Sequence, residues 1–267
     1  MYELFDVIIM RLRLFLTYLL YLQCFAVSAN STLQLVTLDY PPYVDNSGRQ
    51  LTGVAVELVE TIFAELNQPI RIQVLPWARA LNNVQYGRSD AVFTAFKNEQ
   101  RETFADYSQQ VLFMQNISLI TKTGSALRSD IFFESDLSLL SICAVNKVSY
   151  GKRMDSLLAS GVFRVIFRRN KTEDCAQLVR ANRADVWVNN EFGARSILVS
   201  QGLEESLMIL TPPLEETPSY IAFSKLREHQ LLRNKFDAVL EAMKQDGRYD
   251  YLIDNYFESL REEYREE

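Results

Sequence analysis

Apolar and polar positions switch between two periods along this chain, and the switches outline a repeated strand–helix order. LQLVTL (33–38) has strand periodicity and stops at Pro41-Pro42. VAVELVETIFAELN (54–67) carries apolar residues at helical spacing, with Pro69 just past its end. IRIQVL (70–75) alternates as a strand, WARALNNVQYG (77–87) is a short helix closed by Gly87, and a strand follows at 91–93. This βαβαβ order predicts the core of a parallel sheet.

A second unit repeats the pattern. LSLLSICAV (137–145) and VFRVIF (162–167) read as strands on either side of the helix SYGKRMDSLLAS (149–160). The helix EDCAQLVRAN (173–182) and the strand DVWV (185–188) complete it. The phrase Arg-x-Asp before a bare apolar strand occurs once per unit, as Arg88-Ser89-Asp90 and Arg183-Ala184-Asp185. Each copy follows Gly87 or Asn182, residue types that close helices in the left-handed conformation. The apolar run after each is that of a parallel strand covered on both faces.

Two stretches join the units, VLFMQNISLITK (111–122) and LMILTPPLEETPSYIAFS (207–224). Two crossings predict a two-stranded hinge that permits closure around a solute. The helices LLRNKFDAVLEAMKQDG (231–247) and YDYLIDNYFESL (249–260) are expected to pack back on the first unit. The expected organisation is 1–29 as a signal peptide, 30–117 with 219–260 as one lobe, 118–218 as the second, and 261–267 as a solvated tail. The fold class is α/β: two lobes, each a mostly parallel sheet flanked by helices.

The signal expectation rests on Arg11 and Arg13, the apolar run Leu14 to Val27, and Ser28-Ala29 at the cleavage site. Met10 is an alternative start, because the segment from there reads as a complete signal by itself. Export puts Cys143 and Cys175, the two cysteines beyond that segment, in an oxidising compartment where such a pair commonly forms a disulfide. Two buried thiols are the alternative.

Composition narrows the function classes. The net charge of −6 and the lack of a basic cluster argue against a nucleic-acid partner. The only histidine, His229, lies in the polar stretch KLREHQLL and reads as a solvated helix residue, so no zinc site is expected. There is no Gly-x-Ser-x-Gly elbow and no phosphate-binding glycine loop. Glu215-Glu216, in a proline-rich crossing segment, look like solvated turn residues. The balance leans toward binding rather than turnover, with no cofactor and a monomeric chain.

Ligands in open α/β sheets sit beyond the carboxyl ends of the strands. Arg101 follows such an end, and its planar fork suits a carboxylate; pairing with Glu99 or Glu102 is the plain alternative. Tyr40, beyond the first strand, and Trp77, opening a helix, are candidate aromatic walls, with Arg79 a second cation. Ser149 is a candidate cap of the helix starting near Tyr150, where amide groups favour an anion.

The segments TLDYPPYVDNSGRQLTGVAVELVETIFAEL, GRSDAVFTAFKNEQRETFADYSQQVLF, NRADVWVNN and KFDAVLEAMKQDGRYDYLIDNYF resemble the bacterial extracytoplasmic solute-binding proteins of family 3, the polar amino-acid receptors of ABC importers. PWARAL and the Cys143 and Cys175 pair are similar to a subgroup. The resemblance implies a two-lobed periplasmic receptor that closes on its ligand and passes it to an importer permease. By position, it implies Tyr40 and Trp77 as aromatic walls and Thr94, Phe96 and Lys97 as the loop lining the ligand. Arg101 matches the grip on an α-carboxylate and Ser149 a hydroxyl contact at the same end.

Asn190 stands where family members that hold an α-ammonium place Asp, Lys147 replaces a glycine, and Ala55 an acidic residue. These departures point to a small carboxylate-bearing solute rather than an ordinary zwitterion. Two other roles remain open on the same fold: a sensory module for a membrane signalling partner, and a dehydratase-like enzyme using Glu191.

Overall fold

The computed structural model describes residues 31–146 and 148–266. The expected signal peptide and Lys147 lie outside the described residues. The first unit comprises β1 (Leu33–Thr37), α1 (Val54–Glu65), β2 (Ile70–Val74), α2 (Trp77–Gln85) and β3 (Ala91–Phe96). A four-residue helix α3 (Glu99–Glu102) and β4 (Ala105–Tyr107) lead into β5 (Phe113–Lys122). The second unit comprises β6 (Ser141–Val145), α4 (Lys152–Ser160), β7 (Val165–Arg169), α5 (Thr172–Arg180) and β8 (Val186–Asn190). Then come α6 (Glu191–Ser200), β9 (Leu207–Ile209), β10 (Glu215–Ser224), α7 (Gln230–Asp246) and α8 (Arg248–Glu266).

Both units have the same internal topology. β1 lies between β2 and β3, and β6 between β7 and β8, all parallel. The long strands β10 and β5 join them in the order β2-β1-β3-β10-β5-β8-β6-β7. Phe113–Ile117 of β5 pair antiparallel with Glu215–Ser219 of β10, which forms the two-stranded crossing. Beyond it, β10 continues along β3 while β5 continues along β8. The sheet is therefore one curled, hydrogen-bonded surface, parallel at both ends and antiparallel at the hinge. Glu215 and Glu216 lie in β10 rather than in a solvated turn, and only Glu216 is exposed.

Burial on both faces explains the bare apolar strands. In β3, Phe93 faces a core built with α1 and the terminal helices, while Val92 faces a second core against α2. In β8, Val186 and Val188 pack with Met154 and Leu158 of α4, and Trp187 packs with Val179 and Leu198 on the other face.

The doubled Arg-x-Asp phrase has one structural job in both units. Asp90 accepts a bond from the Gln34 backbone N–H at 2.7 Å, at the start of β1. Asp185 does the same for Ser141 N–H at 2.7 Å, at the start of β6. Each aspartate thus ties the end of one helix to the entry of the central strand. Gly87 and Asn182 before them have φ of 63° and 56°, the left-handed helix stop. His229 is not a solvated helix residue: it precedes α7, and its Nε2 lies 2.8 Å from Asp90 Oδ1 with 17% of the side chain exposed.

Cys143 in β6 and Cys175 in α5 form a disulfide, with Cα atoms 5.4 Å apart. The terminal helices pack on α1, as expected, and α8 also reaches α6 of the second unit. Phe192 of α6 joins the first unit's core and stacks on Tyr43 at 5.3 Å. Arg195 lies over Phe257 and pairs with Asp254 at 2.8 Å. Helix α8 continues to Glu266, within the segment expected to be a solvated tail.

Candidate ligand cleft

Two cavities open at the carboxyl ends of the parallel strands, and Tyr40 is in the wall of both. One, about 240 Å³, belongs mainly to the first unit and is lined by Leu38, Tyr40, Trp77, Thr94, Phe96, Arg101 and Gln115. The other, about 350 Å³, faces the second unit. Its walls include Ile117, Ser149, Tyr150, Glu173, Asn190 and Ile197. Every wall segment lies at or just after the carboxyl end of β1, β2, β3, β6, β7 or β8, on the crossing, or in α6. A larger recess of about 550 Å³ between the ends of α6 and α8 is lined by helix and turn residues, including Gln201 and Arg261. No strand end opens into it.

Arg101 is the cation of the first wall. The Asn98 side chain caps α3 by accepting the Arg101 N–H at 2.9 Å, which fixes where the side chain begins. Its guanidinium stands 5.3 Å over the Trp77 ring and donates through Nη1 to the Phe96 carbonyl at 2.7 Å. The Tyr107 hydroxyl donates to the same carbonyl at 3.1 Å. Burial raises the Tyr107 phenol pKa, and the nearby Arg101 charge opposes that rise. Of the two acids expected as alternative partners, Glu99 and Glu102, the second pairs with Lys97 at 3.0 Å. Among the described residues no carboxylate pairs with Arg101, so the rest of its fork faces the cavity free of any ion pair.

Thr94, within the buried part of β3, has φ of 61°, unusual for a β-branched residue. Its hydroxyl bonds the Phe93 carbonyl at 2.6 Å and meets Thr37 Oγ1 at 3.2 Å. Backbone strain of this kind collects at functional sites. Phe96 contributes its carbonyl to Arg101 and a 40% exposed ring to the cavity. Tyr40 stacks on Tyr43 at 5.4 Å, and burial raises its phenol pKa.

In the second wall, Asn190 is 8% exposed and caps α6. Its Oδ1 accepts from Gly193 N–H at 3.1 Å and from the Tyr43 hydroxyl at 3.4 Å. Tyr43 is fully buried, and its pKa is driven well above the usual phenol range by that burial. Asn190 Nδ2 is buried without a partner among the described residues. Ser149 does not cap α4: Gly151 holds the N-cap position, and the Ser149 hydroxyl bonds Asp155 instead. Ser149 still lines the cavity.

The structure thus gathers Tyr40, Trp77, Thr94, Phe96 and Arg101 in one wall and Ser149 and Asn190 in the other. Arg79 is exposed and lines neither cavity, and Lys97 is turned to its ion pair with Glu102. Sequence reasoning missed Gln115, Ile117 and Glu173. The first two were detectable, since the register of β5 sets residues 115 and 117 on one face. Among the described residues there is no group of side chains that could hold a metal ion.

The family profile of the bacterial extracellular solute-binding proteins, family 3, matches residues 34–259. The probable amino-acid-binding protein YxeM of Bacillus subtilis (strain 168) is 21% identical over 220 residues, 81% of this chain and 80% of that protein. The second substrate binding domain of a putative amino acid ABC transporter from Streptococcus pneumoniae Canada MDR_19A has a similar fold. Its TM-score is 0.68 at 19% identity, over 85% of this chain and 100% of that one. The unliganded, open L-cystine solute receptor of Neisseria gonorrhoeae superposes with a TM-score of 0.68 at 18% identity, over 86% of this chain and 93% of the receptor. The fold is that of the type II periplasmic binding proteins, and the chain belongs to the bacterial extracellular solute-binding proteins, family 3.

Proposed function

We propose that this chain is an extracytoplasmic receptor that captures a small amino-acid-like solute by its carboxylate and delivers it to an ABC importer. The carrying observation is Arg101: a guanidinium fixed over Trp77, in a cavity wall, without a carboxylate partner among the described residues. A charge-assisted bond in such a place contributes on the order of 1.5–3 kcal/mol. The amino-acid-binding description of YxeM and the transporter context of the streptococcal domain support the reading. In it, 30–117 with 219–260 and 118–218 act as two lobes that close about the β5–β10 crossing, and the ligand favours the closed state by touching both walls. The protein works as a monomer that binds without turnover.

A thermal-shift screen of proteinogenic amino acids and organic acids tests this. A ligand at one hundred times its Kd adds about 2.7 kcal/mol, a midpoint rise of roughly 5–10 °C for a chain of this size. Arg101→Ala is expected to lose that rise while its unliganded midpoint stays within a few degrees. Equal ligand stabilisation in Arg101→Ala would remove Arg101 from the site.

A further inference from the structure

We infer that Glu215, on the hinge strand β10, is a specificity residue that holds a cationic nitrogen on the ligand's side chain. The inference rests on the amino-acid-receptor reading above and extends it to the ligand's charge.

Register puts Glu215 on the face of the sheet that the cleft opens on. In an antiparallel pair, directly opposed residues share a face. Ile117 is opposed by Glu215 on one side and by Asn190 on the other. Ile117 and Asn190 are both in the cavity wall, and Glu215 extends their row on the same face, at the edge of that wall rather than in it. The next row, Thr217–Gln115, reaches the cavity that holds Arg101. The two rows are two residues apart along the strand, roughly 7 Å. A long side chain extending from a carboxylate at Arg101 spans that gap.

The Glu215 side chain turns toward the second wall. Its Oε2 lies 1.5 Å from where a β-carbon on Gly151 would be, beside Tyr150 of that wall. It is half-buried, and no hydrogen bond or ion pair satisfies its carboxylate among the described residues. Glu173, in the wall of the same cavity, is likewise half-buried and without an ion pair. Glu191 differs, because it accepts from Asn116 Nδ2 at 2.9 Å. Among the described residues no Lys or Arg lines this cavity, and no Asp or Glu lines the one with Arg101. The cleft is electrically polar, cationic at one end and anionic at the other. A half-buried carboxylate without a cation is stabilised by acquiring one.

Asn190 supplies an independent sign that a ligand belongs here. Its buried Nδ2 has no protein acceptor among the described residues, and a ligand oxygen would satisfy it. Being neutral, Asn190 leaves the recognition of positive charge to the carboxylates at Glu215 and Glu173.

Calorimetric titration of the purified protein with L-lysine and L-norleucine tests the inference, because the two differ in the side-chain ammonium. Wild type is expected to bind lysine at least ~10-fold tighter than norleucine, with the preference shrinking as salt rises. Glu215→Gln keeps the shape and is expected to lose ~10-fold or more for lysine, with norleucine affinity and the unliganded melting point unchanged. Arg101→Ala is expected to weaken both ligands. Equal lysine affinity in wild type and Glu215→Gln would overturn the inference, as would a wild type that does not prefer lysine. Either result leaves the receptor reading standing if some amino acid binds in an Arg101-dependent way. The failure of every amino acid to bind would sink the receptor reading itself.

Discussion

Gly151 has a φ of 87° and a carboxylate where a side chain would begin. Both facts require glycine: the angle disfavours any L side chain, and a methyl group would collide with Glu215. Gly151→Ala is therefore expected to lower stability by about 1–3 kcal/mol through the backbone term alone. It is also expected to push the Glu215 carboxylate out of its place and weaken lysine binding. Urea unfolding and calorimetry read the two effects separately. An alanine variant with wild-type lysine affinity would show that the placement of the carboxylate is irrelevant to binding. Most of the aromatic and cationic wall was readable at this scale, because Tyr40, Trp77 and Arg101 each follow a strand end that the periodicity marks. Glu215 was not readable. Its neighbours Pro212, Pro213 and Pro218 imitate a turn, and only pairing with β5, about a hundred residues distant in sequence, turns the segment into a strand. Arg79 misled for the opposite reason: a helix face two residues from Trp77 turns away from the cleft.

The two βαβαβ units were legible as elements because β3, β6 and β8 are mostly apolar and buried over most of their length, while β2 alternates. The Arg-x-Asp repeat marked the units correctly, yet the aspartates serve the fold, bonding the backbone at the entry of β1 and β6. The second unit carries an additional tie. Cys143 in the central strand β6 is joined to Cys175 in α5, closing a sequence separation of 32 residues. A link across a loop of that length contributes about 2–4 kcal/mol. The double variant Cys143→Ser with Cys175→Ser is expected to lower the unfolding free energy by that amount under oxidising conditions. Alkylation followed by intact-mass measurement should modify neither cysteine until a reductant is present. Two alkylated cysteines before reduction would rule the bond out. The attachment of α8 to both units was not readable, because Phe192, Arg195 and Asp254 come together only in three dimensions.

Across the whole molecule, aromatic packing sets how stability responds to pH. Tyr40, Tyr43, Tyr107, Tyr150, Tyr249 and Tyr256 all have phenol pKa values raised, and burial is the largest cause for each. A raised folded pKa means the native state keeps its proton while the unfolded chain, near pH 10, releases it. Above that point the unfolded state binds fewer protons, so stability falls as pH rises, by about 1.4 kcal/mol per pH unit for each such group. Lys244 works in the opposite sense, since burial lowers its pKa, but it is one group against several. Urea midpoints are expected to show no tyrosine-linked change from pH 8 to about 9.5, then to drop steeply. Tyrosinate absorbance should appear together with unfolding rather than before it. Because Tyr43 also touches Asn190 and stacks on Phe192, the same transition opens the seam between the units and the cleft beside it. Ligand bound across that seam is expected to shift the alkaline transition to higher pH. Ionisation of these phenols with the fold intact would show that the seam is solvated and does not hold the halves together.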